Sequence, residues 1–212
     1  MNNQFHKVFI FFSFFFFITL LSSAQALSSK QIDSLVEKTL NTFNVPGIAV
    51  AVLKDGNVIH LKGYGTRSLK SGGKVDENTL FGIASNTKAF TSAALGKLID
   101  QGKLEWDTKV TDIIPEFKLY DPYVTSEFTV RDLLTHRSGL GLGAGDMMVF
   151  PASNVTDKSQ LIHNLRFLKP VSSFRSKYDY DNLLYIVAGE VVTRVSGRDY
   201  DDFIRDNFLK PL

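Results

Sequence analysis

No cysteine occurs in the 212 residues, which excludes disulfides, thiolate metal ligands and a cysteine nucleophile. Histidine is sparse, with four residues, none in an HExxH or similar spacing, so no metal centre is expected. Neither charge sign forms a block: 24 basic and 22 acidic side chains leave a net +2, and charge gives a nucleic-acid partner no support. Long apolar runs are also missing. The longest, VFIFFSFFFFITLL at 8–21, has 14 residues, short of the about 18–20 that cross a bilayer.

What remains is an ordinary globular composition, 44% hydrophobic and 22% charged, which predicts one domain or one domain with a subdomain. The first 26 residues stand apart. Lys7 supplies a basic start, the apolar run follows, and Ala24 and Ala26 occupy the −3 and −1 positions of a small-residue cleavage site. That order predicts a signal peptide at 1–26 and a chain exported to the periplasm or beyond, with 27–212 as the folded part.

Along 27–212 the pattern reads helix, hairpin, then a helical block. SSKQIDSLVEKTLNTF (28–43) carries apolar residues at helical spacing. Two β-rich runs, 47–54 and 57–64, flank Asp55-Gly56, a hairpin signal. After the polar loop SLKSGGKVDENTL, helices are predicted over 87–101, 129–140, 157–168, 182–197 and 198–209, several ending at glycine. No strand follows them. A lone hairpin is marginal in water, so either the 28–43 helix covers it or its partner strands lie beyond Leu212; the chain looks cut at FLKPL.

The chemistry centres on S-x-x-K. It occurs twice, at Ser71–Lys74 in a Gly-rich loop and at Ser85–Lys88 where an apolar helix opens. Only the second places serine and lysine on one helical face, within reach of each other. It reads as a plain helix start, capped by Ser85 or Asn86, or as a nucleophile with its activating amine. A helix N-terminus would also favour a developing oxyanion. Tyr180-Asp181-Asn182 then precedes a second apolar helix. A tyrosine acts as a base only where a cation lowers its pKa, and Lys88 is a candidate for that cation. Asn182 can grip a substrate carbonyl, hold the lysine, or cap the helix.

GIASNTKAFTSAAL, TVRDLLTHRSGL and FRSKYDYDNLLYIVAGEVVTRVSG together resemble the serine β-lactamase and penicillin-binding-protein-like hydrolases, closest to the class C β-lactamase and esterase/D-peptidase branch. The likeness runs from about residue 30 to the end. It implies an α/β (α+β) fold in which an antiparallel sheet is flanked by helices, with a helical subdomain and the site between them. It implies that Ser85 is acylated, Lys88 assists its deprotonation, Tyr180 shuttles the proton, Asn182 contacts the acyl side of the substrate, and the Ser85 N–H supplies half an oxyanion hole. Substrates would be small molecules or peptides, β-lactams, D-amino-acid peptides or esters, and the resemblance calls for no cofactor; the motifs do not choose among the substrates, nor do they set an oligomeric state. Two departures stand out. Asp181 occupies the middle of Y-x-N, where a small residue is commoner; an acid there would weaken Tyr180 as an acid or face solvent. The family's Lys- or His-x-Gly strand has no counterpart, so the C-terminal strands are missing. The alternative is therefore a truncated, catalytically silent relative that at most binds cell-wall peptides.

Other stretches are expected to be structural. His136 has no acid partner to make it a base for Ser138. GLGLGAGD (139–146) lacks phosphate-loop spacing and reads as a flexible loop. Asn154-Val155-Thr156 is a glycosylation acceptor only in a eukaryotic secretory route. Lys169 and the RSK at 175–177 read as solvated loop charges, and Trp106 as core. N-terminal sequencing of secreted protein should begin at Leu27; mature, membrane-embedded protein that keeps Met1 would overturn the signal-peptide reading.

Overall fold

The computed structural model describes residues 27–151 and 157–211; the segment 1–26 and Asn154 with its acceptor motif lie outside the described residues. The chain divides into two compact units, Met1–Gly82 and Ile83–Leu212. Among the described residues no helix is long and apolar enough to cross a membrane.

The first unit is a helix on a hairpin. α1 (Ser29–Phe43) opens on a capping box, with the Ser28 side chain accepting from the Gln31 N–H and Gln31 returning to the Ser28 N–H, and it closes at left-handed Asn44. β1 (Gly47–Lys54) and β2 (Asn57–Gly65) pair antiparallel as a two-stranded sheet. Asp55 and Gly56 both have positive φ, 51° and 77°, the turn that matches the twist of the flanking strands. One face of the hairpin, built from Ile48, Val50, Val52 and their partners Tyr64, Lys62 and His60, lies against α1. Leu53, Val58 and Leu61 are exposed. Gly63 is required because the Val75 carbonyl oxygen passes 2.3 Å from where a Cβ would stand. The Ser71 amide donates to Ser68 Oγ at 3.0 Å in an exposed turn, so the first S-x-x-K is a loop feature.

A polar chain pins α1 to β2. Ser29 Oγ and His60 Nδ1 are 2.8 Å apart, His60 Nε2 and Tyr64 Oη 2.7 Å, and the Tyr64 hydroxyl donates to Asp33 Oδ1 at 2.6 Å. Lys62 reaches the same carboxylate oxygen at 2.8 Å. Because Asp33 can only accept, the tyrosine hydroxyl must donate to it and accept from the histidine. Burial, aided by Asp33, pushes the Tyr64 phenol up to about 12.

The second unit packs around two helices. α2 (Thr87–Asp100) follows a 3₁₀ turn at Ala84–Asn86, and α7 (Leu183–Ser196) lies against it. α7 is apolar on most sides: Leu183, Leu184, Val187, Val191 and Val192 are all within 1% of complete burial, each contributing on the order of 1.5–3 kcal/mol. Between these come α3 (Val110–Ile113), α4 (Pro122–Glu127), α5 (Val130–Leu134) and α6 (Lys158–Asn164). α8 (Tyr200–Ile204) follows α7 and runs into a π-helical turn at Arg205–Leu209.

One expectation is corrected, two helices are added and one charge gains a partner. The helix predicted over 129–140 stops at Leu134, because His136 turns the chain at φ 56°. α3 and α4 were not foreseen, although Pro122 at the first turn behind the capping Asp121 is a helix-start signal. Arg175 is an exposed loop charge as expected, but a paired one: its guanidinium grips the buried Asp132 carboxylate at 2.9 and 2.7 Å. Burial works against that carboxylate's charge, yet Arg175 and Thr129 outweigh it and hold Asp132 below the usual range. Trp106 packs against the core as expected.

The α1–β2 chain generates a test. Tyr64→Phe should lower unfolding stability by about 1–3 kcal/mol, because it strips a hydrogen bond from buried His60 and from Asp33 together. Unchanged denaturant unfolding would show that the chain contributes nothing net.

Candidate active site

Ser85, Lys88, Tyr180 and Asn182, all in the second unit, come together. Ser85 sits in the 3₁₀ turn ahead of α2, exposed, next to Ala84 at φ 45°, a backbone conformation that costs a residue with a side chain about 1–2 kcal/mol. Lys88 Nζ lies 3.4 Å from Ser85 Oγ. The Tyr180 hydroxyl, 95 positions away, is 2.7 Å from the same Oγ. Lys88 Nζ also donates to Asn182 Oδ1 at 2.7 Å and stands 4.7 Å from the Tyr180 ring centre and 5.2 Å from that of Tyr185. The ammonium is thus held by one amide oxygen and two aromatic faces.

This environment acts on Tyr180. The Lys88 cation first, then the Ser85 hydroxyl, draw its phenol below the usual range, against burial and the negative charge of Asp146. A phenol so poised exchanges a proton with the serine oxygen more readily than a free tyrosine would.

Asp181 corrects the expectation for the middle of Y-x-N. It neither faces solvent nor opposes Tyr180: it is fully buried, and its Oδ1 accepts the Leu184 N–H at 2.9 Å. Asp181 is therefore the side-chain cap of α7, the role considered for Asn182, whose side chain makes no cap bond. With its own carboxylate turned inward, Asp181 leaves the residues on either side free to meet Lys88 and Ser85. Neither Ser85 nor Asn86 caps α2 through its side chain; Asn86 Nδ2 donates to the Ile83 carbonyl at 2.9 Å.

Two further residues complete the site without having been singled out for it. His136 is buried with its ring 4.5 Å from that of Tyr180 and 5.3 Å from that of Tyr185, and its Nδ1 accepts the Asp181 N–H at 3.1 Å. Burial, then Lys88, holds its imidazole below the usual range, which suits a neutral acceptor. Ser138 Oγ accepts from the Leu140 N–H at 3.1 Å, so it is engaged in its own turn. The second residue is Asp146. The GLGLGAGD loop is structured: the Gly143 N–H donates to the Tyr180 carbonyl at 3.0 Å, and both Asp146 oxygens accept from Asn182 Nδ2 at 3.0 Å. Tyr185 was legible in principle, being three residues on from Asn182 on one helix face; the loop contacts were not.

Beside Ser85 opens a pocket of about 570 Å³, which extends along α2 and α7 past Val149, Phe150 and Ile186 to Tyr200. Tyr200 Oη and Thr91 Oγ1 bond at its far end, 2.7 Å apart. Among the described residues no group of His, Asp or Glu converges as metal ligands would.

The buried cap gives a pH signature. Burial pushes the Asp181 carboxyl up to about 6, and among the described residues its Oδ2 has no partner. A raised folded-state pKa means a contribution to stability that is complete below the unfolded value near 4 and is lost as pH rises through 6. Asp181→Asn keeps the capping oxygen without the charge. Its stability relative to wild type should therefore rise between pH 4 and pH 7 by on the order of 2–3 kcal/mol, read by urea unfolding at each pH. A pH-independent difference would refute the buried-charge account.

Comparison with known proteins gives one family. Residues 32–212 match the family described as Beta-lactamase. An unguisins hydrolase of Aspergillus campestris is 33% identical over 187 residues, 84% of this chain and 34% of that protein. Protein flp of Staphylococcus aureus is 31% identical over 188 residues, 87% of this chain and 37% of that protein. Among solved structures, the octameric penicillin-binding protein homologue from Pyrococcus abyssi superposes with a TM-score of 0.74 at 28% identity, over 87% of this chain and 43% of that one. A class C beta lactamase gives 0.71 at 27%, over 85% and 48%. The chain thus spans about a third of those curated relatives and under half of those solved chains. Over that span the fold is that of the β-lactamase/transpeptidase group, and the chain belongs to the beta-lactamase family.

Proposed function

We propose that this protein is an exported serine hydrolase that forms an acyl-enzyme on Ser85 with an amide, β-lactam or ester substrate. The observation that carries this reading is the Tyr180 hydroxyl 2.7 Å from Ser85 Oγ, with the Lys88 ammonium 3.4 Å from the same oxygen. Tyr180, as phenolate, takes the serine proton while Lys88 stabilises its charge. Ser85 Oγ attacks the carbonyl carbon, and the Ser85 N–H donates to the oxygen that becomes anionic. Tyr180 then returns the proton to the departing nitrogen or oxygen. Water attacks the acyl-enzyme by the same relay in reverse, releasing the acid and restoring the serine. Asn182 holds Lys88 and faces the acyl side of the substrate. The apolar walls of the adjoining pocket favour a substrate with an apolar group near the scissile bond. Export is supported by the 1–26 sequence pattern, and the activity would then lie in the periplasm or outside the cell.

A fluorophosphonate or fluorescent penicillin should label Ser85, and Ser85→Ala should abolish the label. Lys88→Ala and Tyr180→Phe should each slow labelling about 100-fold or more, and the double variant should be little worse than the worse single, because groups acting as one relay lose function together. Label on Ser71 or Ser138 would overturn the assignment. Absent label in the wild type, with retained binding of cell-wall peptides, would favour the silent-relative reading.

A further inference from the structure

The polar chain through the site does not end at Asn182. Lys88 Nζ donates to Asn182 Oδ1, and Asn182 Nδ2 donates to both oxygens of Asp146. A carboxylate only accepts and an ammonium only donates, so the amide between them has a single satisfactory sense. Turned over, it would aim its NH₂ at the ammonium and its oxygen at the carboxylate, two repulsive contacts in place of two charge-assisted bonds.

The loop is built to hold Asp146 there. Its carbonyl accepts the Val149 and Phe150 N–H groups at 3.0 and 2.8 Å, and its own N–H donates to Gly143. Gly145 before it has φ 77°, and a Cβ there would stand 2.4 Å from Leu183 Cδ1, at the start of α7. The loop therefore sits directly on the helix that carries Asn182.

We propose that Asp146 is a positioning residue of this site, fixing the sense of the Asn182 amide and through it the place of the Lys88 ammonium beside Ser85 and Tyr180. The inference rests on the serine-hydrolase reading for its effect on rate, and on geometry alone for its effect on Asn182. The negative charge of Asp146 also raises the Tyr180 phenol, so its removal leaves a second trace.

The test uses the full chain with Asp146→Ala and, to keep the side chain's shape, Asp146→Asn. Asp146→Ala should slow fluorophosphonate labelling of Ser85 by about 10- to 100-fold, and the limb of the pH–rate profile that follows Tyr180 ionisation should move to lower pH. Asp146→Asn, which keeps one acceptor, should lose less rate and move the limb in the same direction. Asn182→Ala combined with Asp146→Ala should be no slower than Asn182→Ala alone. Wild-type rate and profile in Asp146→Ala, or additive losses in the double variant, would overturn the proposal. A readout free of activity accompanies these. In wild-type protein the side-chain NH₂ resonances of Asn182, assigned by their absence in Asn182→Ala, should exchange slowly with water. In both Asp146 variants they should move, and in Asp146→Ala they should exchange faster. Unchanged resonances would sink the proposal even if Ser85 is active. Shifted resonances on a chain that the probe does not label would sustain it while the hydrolase reading fails.

Discussion

One ammonium group organises the second unit's polar centre. Lys88 leaves α2 and meets, within a few ångströms, the side-chain amide oxygen of Asn182, the faces of Tyr180 and Tyr185, and the hydroxyl of Ser85. α2 and α7 are joined mainly by apolar packing, which supplies stability but little directional preference. The lysine contact supplies direction. It fixes which faces of the two helices look at each other at the end where Ser85 stands, and most other polar features nearby can be understood as serving it. Asp146 accepts from the other end of that amide, Asp181 caps the helix whose N-terminus carries it, and His136, held toward its neutral form, lies tilted beside the phenol without adding a competing cation.

Much of this was legible in the sequence because it depends on local rules. S-x-x-K at the start of an apolar helix is a same-face pair by periodicity, and the structure brings the two side chains together. Y-x-N ahead of a second apolar helix gave the other half. The hairpin was legible from Asp55-Gly56, which needs two positive φ angles, and α1 from its spacing of apolar residues. What was not legible depends on which loop lies on which helix. GLGLGAGD carries glycines that read as flexibility, yet those glycines let the loop lie close to α7 and present Asp146. Arg175 read as one of several loop charges, because nothing local reveals that Asp132, 43 residues earlier, is buried beside it. Asp181 was misread because a buried acid is the exception by composition, and only the Leu184 N–H explains it.

Two buried carboxylates of the second unit, Asp132 and Asp181, differ in kind. Asp132 is buried and fully partnered, by Arg175 and by Thr129. Its charge is retained, and it ties α5 to the segment that leads into Tyr180. Asp181 is buried with its Oδ1 on the Leu184 N–H, and among the described residues its Oδ2 has no hydrogen-bond partner, so the fold disfavours its charge. The first acts as a fastener and the second as a cap carried at a cost. Both bear on the same short stretch, residues 175–182, so the position of Tyr180 is set from the loop before it and from the helix after it.

Ala84 has a consequence of a different sort. A side-chain-bearing residue held at φ 45° immediately before Ser85 is a locally unfavourable turn at the end of a helix whose far side is deeply buried. The helix body and its foremost turn therefore belong to different tiers of resistance to opening. As temperature rises, the serine's turn can relax while Leu95 and Leu98 remain packed. The serine would then leave its place against Tyr180 in a molecule that is otherwise still folded.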